Sequence, residues 1–176
     1  MRSVVMALAG AVLMAAAPAR AQEGNALAQA VATEAHSNET NMVSAAEAMP
    51  ADKYGFKATP PQISFGDLIH HAAQANNLLC SLLAGEKAPE TSVPATGSKD
   101  ALVAQMKASF AFCDAAFKKI DPATLADEVP MFGRKMTKAW VIVHMALDWG
   151  DHYSQAAMML RLNGIVPPSS QRRPAK

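Results

Sequence analysis

Residues 64–85 read SFGDLIHHAAQANNLLCSLLAG, and this stretch decides the fold class. At about 100° per residue, Phe65, Leu68, Ile69, Ala72, Ala75, Leu79 and Leu83 fall on one apolar arc, the pattern of an amphipathic helix. Ser64 stands where an N-cap is wanted and Asp67 follows three residues on, an Asp variant of the capping box. The helix is expected to end at about Ala84, before Gly85. On the same wheel His70 points roughly opposite the arc, toward water, whereas His71 lies at its edge, within reach of a bundle interior.

Working outward, three further segments carry the same period. A first helix is expected over residues 25–49, with Leu27, Val31, Ala35, Met42, Ala45 and Met49 as packing positions, and Pro50 ends it. Residues 86–97 hold two prolines and many small polar side chains and read as a loop. Ser98 caps a third helix to about Ile120, with Leu102, Met106, Ser109, Phe110, Cys113 and Phe117 on one face. The fourth runs from near Met136 to about Leu162, where Asn163-Gly164 supplies a C-cap. No segment alternates with period two over enough residues to announce a sheet. The expected fold class is all-α, and a four-helix bundle is the natural way to bury four such faces.

Composition agrees. Of 176 residues, 51% are hydrophobic and only 6% aromatic, which supplies one core and favours helices over a β-sandwich. Sixteen Lys and Arg against fifteen Asp and Glu leave a formal charge of +1, with no basic run to track a phosphate backbone, so no nucleic-acid partner is expected. There is no GxSxG elbow, HExxH, phosphate loop or dinucleotide fingerprint.

The N-terminus reads as a secretory signal peptide over residues 1–21: Arg2, an uncharged apolar run from Val4 to Ala17, then Ala19-Arg20-Ala21 as a small-x-small cleavage signature. That run is too short for a membrane anchor. The expected organisation is a cleaved leader 1–21, a bundle over 22–164 and a polar tail over 165–176, located in the periplasm or outside the cell, with no membrane span after cleavage. Export permits a disulfide, and Cys80 and Cys113, the two cysteines available and on successive helices, are expected to be joined; the alternative is two buried free thiols. The absence of CxxC argues against a thioredoxin-like motif or a structural zinc site.

The fourth helix carries the chemistry. His144, Asp148, Asp151, His152 and Gln155 fall within roughly 100° of one another, interrupting an apolar stripe. Burying such groups is costly unless partners satisfy them, and a bound cation would do so; a solvated stripe is the plainer reading. Asp148 and His152 are four apart, as are His144 and Asp148, so either pair can hold one ion. His144 and His152 are separated by roughly 12 Å of helical rise, too far for one small ion to take all three. Spacing alone does not choose between the pairs.

Three stretches resemble the DinB-like family of four-helix bundles: MPADKYGFKATPPQISFGDLIHHAAQANNLLCSLLAG at 49–85, FGRKMTKA at 132–139 and DHYSQAAMMLRLNGIVPPSS at 151–170. The resemblance implies a divalent-metal site with one histidine in the second helix, matching His71, and a pair spaced HxxxH before a YGQ-like tripeptide. His152, preceding Tyr153-Ser154-Gln155, matches the last ligand, while the other position of that pair carries Asp148. Asp148 is then a substitute ligand, or a hydrogen-bond partner to an imidazole in a site that has decayed. Metal ligands His71, Asp148 and His152 are expected, with His144 and Asp151 as residues that orient them or move protons. The ion would be zinc, iron, nickel or manganese.

Two functions are expected from the resemblance. One is a metal-dependent transferase, isomerase or hydrolase acting on a small molecule, a thiol among the options. The other is a non-catalytic bundle that binds a metal or small ligand through a degenerate site. A homodimer through an apolar face of the fourth helix, at Ile142, Ala146, Ala157 and Leu160, is a further expectation.

Overall fold

The computed structural model describes residues 17–90 and 92–171. Four long helices, α1 (Ala17–Ala48), α2 (Phe65–Ala84), α3 (Lys99–Lys118) and α4 (Lys138–Leu162), pack around one core, and a short α5 (Pro168–Gln171) follows. The first 16 residues of the expected leader and residues 172–176 of the expected tail lie outside the described residues. Among the described residues, no helix is long and apolar enough to cross a membrane.

The caps form where local chemistry calls for them. The Ser64 hydroxyl accepts from the Asp67 N–H at 3.1 Å, and the Asp67 carboxylate accepts from the Ser64 N–H at 3.1 Å and hydroxyl at 2.7 Å. These bonds hold the Asp67 carboxyl below its ordinary pKa. The next N–H groups of α2 are taken by the preceding connection, Phe65 N to Phe56 O at 2.9 Å and Gly66 N to Tyr54 O at 2.8 Å. A Cβ on Gly66 would stand 3.3 Å from the Tyr54 carbonyl, so the close approach uses the missing side chain. Gly85 closes α2 with φ +66°.

One element was not expected. Glu128–Met131 (β1) and Arg134–Thr137 (β2) form an antiparallel hairpin in register Glu128↔Thr137 to Met131↔Arg134. Its turn is Phe132-Gly133, with φ of 48° and 77°, the sign that a tight primed hairpin turn requires. The fourth helix therefore starts at Lys138, two residues after the expected position, with Thr137 as its N-cap. Lys138 N and Ala139 N bond back to Asp127 O at 2.9 Å and Leu125 O at 3.0 Å, which fastens the hairpin to the start of α4.

The inward side of α4 is Val141, Ile142, Met145, Trp149, His152, Ala156, Met159 and Leu160, all buried. Of the four residues expected to face outward for a dimer, Ile142, Ala157 and Leu160 are buried by packing against the other helices, and Ala146 is half-buried. Between helices, Trp149 Nε1 donates to Asn76 Oδ1 at 2.7 Å, and Asn76 Nδ2 donates to Ser109 Oγ at 3.1 Å. This buried chain fixes α4 against α2 and α3. Cys80 and Cys113 are joined by a disulfide, with Cα atoms 5.2 Å apart. Beyond Gly164 the chain folds back: Pro167 and Pro168 are buried, and Ser169 N donates to the Tyr153 hydroxyl at 2.8 Å.

Candidate metal centre

The α2–α4 packing brings together residues far apart in sequence, His71 and His152 being 81 positions apart. His152, one turn beyond Trp149 on the same face, is buried with 6% of its side chain exposed. Its Nδ1 lies 3.2 Å from Asp148 Oδ2 yet is not aligned for a hydrogen bond, and no other partner among the described residues reaches it. A buried polar atom without a partner is costly. The 3.2 Å separation has a second meaning: two ligands each about 2.1 Å from one ion, at angles between octahedral and tetrahedral, stand about 3.0 to 3.4 Å apart. The separation of Asp148 Oδ2 and His152 Nδ1 falls within that range.

His71 approaches the pair from α2. Its ring centroid is 5.0 Å from that of His152, edge to face at 73°. Unlike His152 it is exposed, on the wall of a cleft of about 200 Å³ that also includes Asp148 and His144. Among the described residues, no three His, Cys, Asp or Glu side chains stand in an arrangement that would hold a metal ion. Asp148 and His152 form a close pair, with the His71 imidazole beside it.

The remaining expected residues separate. His144 lines the cleft and stacks on Trp140, centroids 4.6 Å apart and planes within 14°. Asp151 is exposed, and its carboxylate accepts from Gln155 Nε2 at 2.9 Å, a bond within its own helix. His70 corrects the wheel: it is half-buried rather than turned to water, and its Nδ1 meets Gln105 Oε1 of α3 at 3.1 Å. The wheel counted only one packing neighbour for α2, but α3 covers a second flank. Phe132, at the hairpin tip, joins the cleft wall and was missed altogether. The Gly133 that follows it, between two short runs, was the signal that could have found it.

The family model of the DinB superfamily matches residues 34–156. The chain belongs to the DinB superfamily. A crystal structure of a DinB-like protein from Bacillus subtilis is similar to it with a TM-score of 0.65 at 19% identity, covering 81% of this chain and 99% of that one. A DinB-like protein from Bacillus cereus gives 0.62 at 16% identity, covering 74% and 89%. Likeness at this identity establishes the DinB fold. No curated protein matches the chain significantly.

Proposed function

We propose that this DinB superfamily member is an exported, metal-dependent enzyme that transfers or hydrolyses a group on a small molecule, with His71, Asp148 and His152 holding a divalent ion. The observation that carries this reading is the buried, unbonded Nδ1 of His152 at ligand-bite distance from Asp148 Oδ2. A cation satisfies both atoms at once, and a nearby imidazole supplies a third donor. Two imidazoles and one carboxylate suit zinc, iron, nickel or manganese and leave positions for water or substrate. Such an ion polarises a carbonyl or activates water or a thiol. His144, on the wall of the same cleft, is placed to carry a proton. The disulfide is compatible with a periplasmic or secreted protein.

A second reading has its own observation. The exposure of His71 favours a degenerate, non-catalytic site in which Asp148 and His152 alone make a weak pair. Cobalt(II) titration followed by visible absorbance separates the two. A working site gives a saturable spectrum that His71→Ala weakens and that Asp148→His retains or strengthens, since the latter completes a three-imidazole set. A titration of wild type indifferent to His71→Ala supports the degenerate reading.

A further inference from the structure

A second cleft, of about 470 Å³, opens where Gln74, Asn77 and Ser81 of α2 meet the loop after Gly85, and its size is that of a small-molecule site. The loop is fastened there. Ala88 N donates to the Ser81 hydroxyl at 3.0 Å, that hydroxyl donates to the Asn77 carbonyl at 2.6 Å, and Lys119 Nζ reaches both oxygens of Glu86 at 2.7 and 2.9 Å. Asn77 is the unexplained side chain. It is 7% exposed, yet among the described residues no hydrogen bond reaches its amide, whereas both ends of the neighbouring Asn76 amide are satisfied. Unlike His152 Nδ1, the Asn77 amide is not sealed in the core, and the residue lines the cleft. Asn is a poor helix former whose capping preference has no use in mid-helix, and an apolar side chain would fill this wall at less cost.

We propose that this cleft binds a short zwitterionic peptide in an extended conformation. A side-chain amide offers a donor and an acceptor side by side, and an extended residue presents its own N–H and C=O along one edge, so Asn77 Oδ1 accepts from that N–H while Nδ2 donates to that C=O. Lys87 and Glu90, which also line the cleft, pair with each other through side chains 81% and 82% exposed. A pair so exposed is weak, so each charge can turn to its opposite on the ligand, Lys87 to the carboxylate and Glu90 to the ammonium group. Ala88 and Pro89 give the wall an apolar stretch for a small side chain. None of this rests on the metal reading, although the two clefts adjoin through Gln74 and Leu78.

Chemical-shift titration of the metal-free full chain with trialanine tests the site independently of any ion. Saturable shifts should appear at the Asn77 side-chain amide and at Lys87 and Glu90, with a dissociation constant on the order of 1 mM. Trialanine methylated on its central nitrogen, which cannot donate to Asn77 Oδ1, should bind about fivefold more weakly. Acetylated, amidated trialanine, which lacks both charges, should lose about twofold. Asn77→Leu, close to Asn in shape, should bind the two uncapped peptides equally and keep the urea midpoint of wild type, since no bond within the fold is lost. A lowered midpoint would show the amide to be structural and overturn the proposal. So would trialanine shifts that do not saturate at Asn77, a methylation effect that persists in Asn77→Leu, or capped trialanine that binds as tightly as the zwitterion.

Discussion

At the residue scale, the most demanding position is His152. Its imidazole is nearly removed from water, yet Nδ1 has no hydrogen bond among the described residues and lies 3.2 Å from a carboxylate oxygen. The contrast with Asn76 is instructive. That side chain is equally buried, but its amide gives to Ser109 and its oxygen receives from Trp149, so the group is satisfied within the protein. Asn76→Ala strands the Trp149 N–H inside the core and should cost about 1 to 3 kcal/mol, read as a fall in the urea midpoint. A loss well below that range would mean that water replaces the amide.

The element scale shows what local sequence determines and what it leaves open. Helix α2 was legible to its ends because Ser64, Asp67 and Gly85 act within one turn of where they stand. Asp67 makes a pH prediction. Its folded pKa is lowered by the Ser64 bonds, so its stabilisation is fully present above the ordinary value of 3.8 and is lost as pH falls from there through the lowered value. Ser64→Ala should cost about 1 kcal/mol at neutral pH and flatten the acid side of the stability profile. Denaturant midpoints across that range check both. The hairpin escaped because its strands are four residues each and Pro130 sits inside the first, too little alternation to register as sheet. His70 escaped because a wheel has no second neighbour, and α3 supplied one through Gln105.

For the whole molecule, the disulfide ties α2 to α3 and closes a stretch of 33 residues, worth about 3 to 4 kcal/mol in the chain-entropy model. Reduction under native conditions should lower the thermal midpoint by an amount consistent with that figure while far-UV circular dichroism stays helical. An unchanged midpoint would show that packing alone fixes the two helices. The bundle was legible because four amphipathic faces admit few packings. Of the candidate site, Asp148 and His152 were legible as an i, i+4 pair, since both lie on one helix. How closely His71 approaches them depends on the α2–α4 crossing and on its own rotamer, neither of which a periodic pattern encodes.

A cation shared by Asp148 and His152 is the central proposal, and elemental analysis of protein purified without chelators or added metal addresses it most directly. Wild type should carry a near-stoichiometric divalent transition metal, and His152→Ala, still helical by circular dichroism, should carry almost none. Equal metal content in the two proteins would contradict the account.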